Sequence, residues 1–588
     1  MRLSFIFVWV QVLLTTKAHL PNLIDDAISP TPKYCPTKPC IGNTPCERTK
    51  WCNYNISTDY EAITPTTGVT RESWFYVNDL YLQPDGYHNR SVITINDTIP
   101  GPTIFANWGD EVVVHVKNNI SSRIENGSTI HFHGVRQYFT NHYDGVPSLT
   151  QCPIAPQSLM TYRWRATQYG TSWYHSHIGL QTWEGVFGGV IINGPATANY
   201  DHDMGMLFLN DWTYQTPDEL YSSERSGDIF TIDSGLMNGT NVYDNNGQVT
   251  GRRFIAKVTE GESYRFRIVN AAINSHYEFK IDHHNLTVIA MDLVPIVPYV
   301  TESVVLGMGQ RYDVIVHANQ SSLAKSFWIQ AIPKICGGNP NNPMQGVLDY
   351  GKIPTLPTLP LQDSNRPNCS DEPLALLKPY VKKDVKPFPR GSWNKSITSS
   401  LYSPVVPIGF YSWYLNRTSM QVDWANPTLK QIYENRRLRT TFQPYSNESS
   451  FVNGTSLISI PNKGQWIYVN ILSDPNEDPE SHPIHLHGHD FYILAQGDGE
   501  FNGVVNTKNP ARRDTALLPS KGYLVIAIKA NNPGIWLMHC HIGFSIQFLE
   551  RQRELRNLID FNMLNQTCEE WNAYTAATGL MEINDSGV

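Results

Sequence analysis

His482-Pro-Ile-His485-Leu-His487-Gly-His489 and, some fifty residues on, Trp536-Leu-Met-His539-Cys540-His541-Ile542 are the most donor-rich stretches of the chain, and both lie near its C-terminus. Imidazole and thiolate together suit copper or zinc. Side chains of a strand alternate faces with period two. His539 and His541 therefore point one way and Cys540 the other. One short strand then serves two metal sites, one on each face, joined by a few covalent bonds that can carry electrons. His485 and His487 share a face in the same way.

Two earlier segments, Thr129-Ile-His131-Phe-His133-Gly134 and Ser172-Trp-Tyr-His175-Ser-His177, repeat the pattern among β-formers. A lone histidine is most often a surface residue or a satisfied core residue. Four His-x-His pairs are different: at 131/133, 175/177, 485/487 and 539/541 they offer eight imidazoles, more than a mononuclear site or a zinc hydrolase uses. They point to a cluster of several metals. Two pairs come early and two late, so such a cluster sits where the first and last domains meet, and the chain must fold back on itself.

At 588 residues the chain is too long for one core and fits three domains. Charged residues are 17% and the net charge is −8, which argues against a nucleic-acid partner. Aromatics at 11%, with 40 glycines and 39 prolines, suit a turn-rich β protein. Met1-Arg2 and the apolar run from Leu3 to Leu14 read as a secretory signal over 1–18. No other stretch is long and apolar enough for a membrane anchor. Fifteen Asn-x-Ser/Thr sequons, from Asn55 to Asn584, predict a glycosylated surface on a secreted, extracellular protein. Of nine cysteines, Cys540 belongs to the metal motif. Cys35, Cys40, Cys46, Cys52, Cys152, Cys336, Cys369 and Cys568 remain for four disulfides in an oxidising compartment.

Residues 19–57 are rich in Pro and Cys and read as a stapled N-terminal arm. Short β-rich runs follow: Ser73-Trp-Phe-Tyr-Val and Glu111-Val-Val-Val-His-Val in a first domain over 58–200, Tyr264-Arg-Phe-Arg-Ile-Val and Tyr312-Asp-Val-Ile-Val in a second over 201–350. Residues 351–392 read as a surface linker rich in Pro and Lys. A third domain, 393–588, holds both late metal motifs and a C-terminal tail. Regular short strands with turn signals predict an all-β protein of sandwiches or Greek-key barrels. The second domain has no His-x-His pair and is expected to space the other two. Its His283-His284 cannot share a strand face and read as turn residues. A short helix is expected near Phe548, over Leu549-Glu-Arg-Gln-Arg-Glu-Leu555.

The four histidine motifs resemble the copper signatures of the multicopper oxidases. Asp144-Gly-Val-Pro, Thr150-Gln-Cys152-Pro-Ile and the terminal Asp585-Ser-Gly-Val588 resemble the ascomycete laccases among them. The resemblance covers nearly the whole chain after the signal. It implies three cupredoxin-like Greek-key domains and a laccase activity, in which phenols lose single electrons and dioxygen takes four to become water. It implies four copper ions as cofactors. His131 and His485 would hold the type 2 copper. His133, His175, His177, His487, His539 and His541 would hold the type 3 pair. His482 and Cys540 would hold the type 1 copper, which takes electrons from substrate. Asp144 resembles an acid near the cluster that helps proton delivery, although Asp-Gly is also a plain turn signal. Asp514 is expected to be structural. The resemblance further implies Cys152–Cys568 and Cys336–Cys369 disulfides, with the first four cysteines paired among themselves. It makes Asp585–Val588 a plug in the solvent channel to the cluster. The expected partners are a phenolic or aromatic substrate and O2, with no nucleic acid and no membrane, and the expected state is a monomer. A ferroxidase of the same fold and a non-catalytic copper-binding glycoprotein compete with this reading.

The chain departs from the family at one place. A blue-copper site needs two His and one Cys with a weak axial group, and the family pattern is His-Cys-His-x-x-x-His. Here the register gives His539-Cys540-His541-Ile-Gly-Phe-Ser545, and no histidine follows His541. About six residues are missing between Ile542 and Phe544. The axial position then falls on Phe544; read without a gap it would fall on Glu550. Three origins stay open: a coding-sequence error at an intron edge, a true deletion, or a histidine recruited from elsewhere, of which His489 is the nearest spare.

Overall fold

The computed structural model describes residues 40–121, 126–225, 231–334, 340–364, 369–387, 395–402, 412–415, 423–434, 457–474, 480–540 and 544–580. The signal, Cys35, Cys336, His541 and the terminal Asp585–Val588 lie outside these residues.

Alternating apolar residues build the strands. Glu111–Asn118 is typical: Val112, Val114 and Val116 are fully buried, while His115 and Lys117 turn outward. Three pairs of stacked sheets result. The first pair has two four-stranded sheets, the second and third each a six-stranded and a five-stranded sheet. Every pair contains parallel contacts between strands distant in sequence. Thr70–Leu82 runs parallel to Glu111–Asn118, His202–Trp212 to Ser263–Asn270, and Lys395–Tyr402 to Trp466–Ser473. Such crossovers mark Greek-key sandwiches rather than meanders.

The first and last units are sewn together. Val146, Leu149 and Cys152 of the first pack with Ile535, Leu537 and Leu549 of the third and with Leu564 and Trp571. The last two belong to the helix Phe561–Thr578, which is capped by Asp560 accepting from the Met563 N–H at 3.2 Å. Cys568 on that helix is bonded to Cys152 across 416 residues. Cys40 and Cys52 are bonded within the arm, and Cys46 has no partner among the described residues. Cys369 is disulfide-bonded, but its expected partner Cys336 lies outside them.

Two local expectations differ from the structure. Leu549 and Glu550 are not helical. They end the strand Ser545–Glu550, held by pairing with Ile535 and Gly534, and the helix is only Gln552–Leu555 after Arg551 at φ +51°. Cross-strand pairing of two fully buried strands outweighs local helix preference there. The linker is also not confined to the surface. Its Asp371 and Glu372 are buried, and Asp371 accepts from Gln310, Gln496 and the Leu517 N–H, wedging an anion between the second and third units. His283, at φ +61°, does lie in a turn.

The 3-10 turn Asn141–Tyr143 leads into Asp144 and buries His142. Burial pushes the His142 imidazole down from 6.5 to about 4, with Asp560 opposing the shift. The folded protein therefore keeps His142 neutral, while the unfolded chain takes up a proton below its ordinary value. Stability on this account is full above pH 6.5 and falls by up to about 3 kcal/mol as pH drops towards 4. His142→Gln is expected to flatten the pH dependence of urea midpoints across that window; an unchanged slope would refute the assignment.

Candidate metal centre

The strand registers set the donors opposite one another. His131 of His131–His133 pairs with His175 at the end of Gly170–His175. His485 of His482–Leu486 pairs with His539 of Gly534–Cys540. Each early His-x-His motif of its domain ends in a glycine at positive φ, Gly134 at +73° and Gly488 at +72°. Neither position has room for a Cβ, which would sit 2.2 Å from Asp514 Oδ2 at Gly134 and 2.5 Å from Trp536 at Gly488. The glycines turn the chain away from the strand while the two imidazoles stay on one face.

Seven of the eight paired histidines converge in one buried cluster between the first and third units: 131, 133, 175, 177, 485, 487 and 539. The eighth, His541, lies outside the described residues. Ring centroids approach to 3.9 Å for His131–His487 and 3.8 Å for His133–His485, and both contacts cross the interface. His177 stands 5.0 Å from His539. Among the described residues, four groups of three donor atoms each lie within 4.8 Å: 131/133/175, 131/485/487, 177/487/539, and His133 and His485 with Asp514.

Hydrogen bonds orient the rings. His131 Nδ1 meets the Asp144 carbonyl at 2.7 Å, His485 Nδ1 the Asp514 carbonyl at 2.8 Å, and His487 Nδ1 the Asp144 carboxylate at 2.8 Å. His175 Nδ1 meets the Ser176 carbonyl at 2.9 Å. These acceptors fix the proton on Nδ1 and leave the Nε2 lone pair facing the cluster. His131 Nε2 is buried with no hydrogen-bond partner, and His487 Nε2 faces His539 Nε2 at 3.2 Å. His133 is turned the other way, its Nε2 on Thr515 Oγ1 at 3.0 Å. Burial and neighbouring imidazoles hold His175 and His487 far below the ordinary range, so both are neutral. Imidazole nitrogens converging in a buried cluster are what soft or borderline metal ions require, and copper fits this donor set.

A buried charge network braces the cluster from the second unit. Arg311 grips Asp514 with two bonds of 2.6 Å, and Arg513 binds Asp292 at 3.0 Å. Asp514 Oδ1 also lies 3.3 Å from His133 Nε2. Burial pushes the Asp514 carboxyl up to about 6 against the pull of Arg311. The sequence reading placed Asp514 as a structural acid and missed its contact with the cluster. Arg311 carried no signal at all, being 203 residues away in the domain without a histidine motif.

The opposite face of the same two strands holds a second pair of donors. His482 shares a face with Ile484, which pairs with Cys540. His482 Nδ1 lies 3.3 Å from Cys540 Sγ, both buried, and the Phe544 ring is 5.2 Å from the His482 ring. Phe544 thus closes this pocket. Glu550 pairs with Gly534 at the far end of the hairpin, six residues from Cys540. There it binds His489 Nε2 at 2.8 Å, while His489 Nδ1 meets the His487 carbonyl at 3.1 Å. His489 is therefore committed elsewhere and does not replace the missing donor.

Three segments of the chain, 76–197, 203–352 and 421–553, match the family described as multicopper oxidase. Laccase-2 of Botryotinia fuckeliana is 41% identical over 577 residues, covering 95% of both chains. The oxidoreductase OpS5 of Beauveria bassiana is 43% identical, with 92% of each covered. The crystal structure of the laccase from Botrytis aclada superposes with a TM-score of 0.83 at 40% identity, covering 93% of this chain and 99% of that one.

Proposed function

The chain belongs to the multicopper oxidases, a laccase-like, copper-dependent oxidoreductase of cupredoxin-like domains, and from that premise we propose that it is a secreted oxidase of phenols with a damaged port for electrons. The seven-histidine cluster carries this reading. His131 and His485 would hold the type 2 copper. His133, His175, His177, His487 and His539, with His541, would hold the type 3 pair, and His482 with Cys540 the type 1 copper. Copper bound there supplies one-electron chemistry, accepting electrons singly from phenols and delivering four to dioxygen. The protein's own part is to keep the imidazoles neutral and aimed, to exclude water, and to hold protons close by. Asp144 would serve the last task, a role supported by one carboxylate oxygen lying 2.8 Å from His487 Nδ1 and the other 3.4 Å from His131 Nδ1.

The sequence, in which no histidine follows His541, favours a second reading, a copper-binding glycoprotein with little turnover. Laccase homologues imply phenols and O2 as the general kind of partner. Among the described residues no helix is long and apolar enough to cross a membrane, and the sequons and leader support secretion. Copper stoichiometry measured with the visible spectrum, on protein of this exact sequence, tests the reading. Three coppers without the intense blue thiolate band are expected. A full blue band would mean that a third donor has been recruited; fewer than three coppers would refute the cluster assignment.

A further inference from the structure

An oxidase that releases phenoxyl radicals exposes its own tyrosines to them. We propose that Tyr87 of the first unit and Tyr243 of the second form a self-modification site, where such radicals join the two rings into a dityrosine that staples the units together. The inference rests on the phenol-oxidising reading for its supply of radicals; the geometry of the pair owes nothing to the histidine cluster.

Tyr87 lies between the strands Thr70–Leu82 and Arg90–Ile95, and Tyr243 stands on the strand Val242–Asn245, which pairs with Gln248–Gly251 in a hairpin. Their ring centroids are 3.9 Å apart and the ring planes differ by 24°. Tyr87 is 47% exposed and Tyr243 half-buried, so a small radical in solvent reaches the pair. Desolvation, and after it the adjoining Tyr87 hydroxyl, raises the Tyr243 phenol above its ordinary value. The two oxygens therefore share one side of the stack, with the carbons ortho to one hydroxyl over those of the other ring. A third phenol, Tyr214, is tilted by 58° from Tyr87 at 4.9 Å and stands 6.5 Å from Tyr243. It is not aligned for the same bond.

The backbone around the rings is fixed from both units. Asp85, fully buried, accepts from the Tyr87 N–H at 3.1 Å and from the Tyr214 hydroxyl at 3.1 Å. Gly251, at φ +73°, closes the hairpin against the Asp85 carbonyl, where a Cβ would lie 2.2 Å from the oxygen. Rings held in contact in this way need no further search before they react. Each tyrosine gives one electron and one proton to one phenoxyl radical, so two radicals become two phenols. The two tyrosyl radicals then form one carbon–carbon bond between ortho positions. The hydrogens displaced from those carbons move to the two oxygens and restore both phenols. The product is the folded chain less two hydrogen atoms, with its first and second units tied by a covalent bond.

The test exposes the copper-loaded full chain to phenoxyl radicals from two sources. One is its own turnover of a small phenol under O2; the other is a haem peroxidase with hydrogen peroxide and the same phenol. Dityrosine fluorescence is expected, together with a digest peptide pair joined through Tyr87 and Tyr243 at two hydrogen masses below the sum. Tyr87→Phe and Tyr243→Phe should each abolish the link while leaving oxygen uptake with phenol unchanged. A link formed with the peroxidase, in a chain that takes up no oxygen, supports the site and overturns the phenol-oxidising reading. Absence of the link from the peroxidase arm overturns this inference, and so does a link that joins Tyr87 to Tyr214 instead.

Discussion

Inserting six residues that include a histidine between Ile542 and Gly543 is expected to create an intense blue absorption and to raise phenol oxidation at least about a hundredfold. The size follows from the chemistry of metal sites. Losing a hydrogen bond behind a ligand already costs about 10–100-fold in metal affinity or activity, and a missing ligand costs no less. His539 pairs with Ser545, and the Cys540 N–H bonds the Phe544 carbonyl at 2.9 Å, so only three residues of sequence separate Cys540 from Phe544. His482 and Cys540 already stand 3.3 Å apart with Phe544 against them, so two donors of such a site are in place. Copper content rising from three to four per chain would accompany the colour. An insertion that folds and binds no further copper would show that the pocket itself is unable to hold the metal.

Arg311→Met is expected to cost about 3–5 kcal/mol, the penalty for leaving a buried charge without its partner. The guanidinium is fully enclosed and answers Asp514 at 2.6 Å and Asp292 at 3.4 Å. Without it Asp514, whose pKa burial has already raised to about 6, should bind a proton at neutral pH. Its contacts to the His133 and His485 rings would then change, and copper should be retained less well. Urea denaturation together with metal analysis checks both effects. A variant within 1 kcal/mol of the parent and holding full copper would show that the arginine is dispensable.

The sequence was most legible where chemistry demands a residue type at a fixed spacing. The period of two in a strand was enough to place His131, His133, His485 and His487 on shared faces, and to set Cys540 on the face opposite His539. Strand periodicity likewise marked Glu111–Asn118. What was not legible arises from contacts between distant segments. Asp514 reads only as a structural acid until Arg311 is seen to hold it beside the cluster. Asp371 reads as part of a solvated linker until three donors of the second and third units converge on it. Leu549 and Glu550 look helical by propensity, and only their pairing with Ile535 and Gly534 makes them a strand. His489 looked like a spare ligand because sequence distance says nothing about Glu550 lying across from it.

The histidine cluster draws its donors from both sides of the seam between the first and last units, 131 to 177 on one and 485 to 539 on the other. Copper is thus a fastener as well as a reagent. The groups 131/485/487 and 177/487/539 need histidines from both units, so their loading must follow closure, and closure is favoured by loading in equal measure. At a free copper concentration of a hundred times the dissociation constant, this linkage adds about 2.7 kcal/mol for each site. The melting temperature of the protein therefore becomes a gauge of available copper, and a chain that folds where copper is scarce would be not only inactive but less stable.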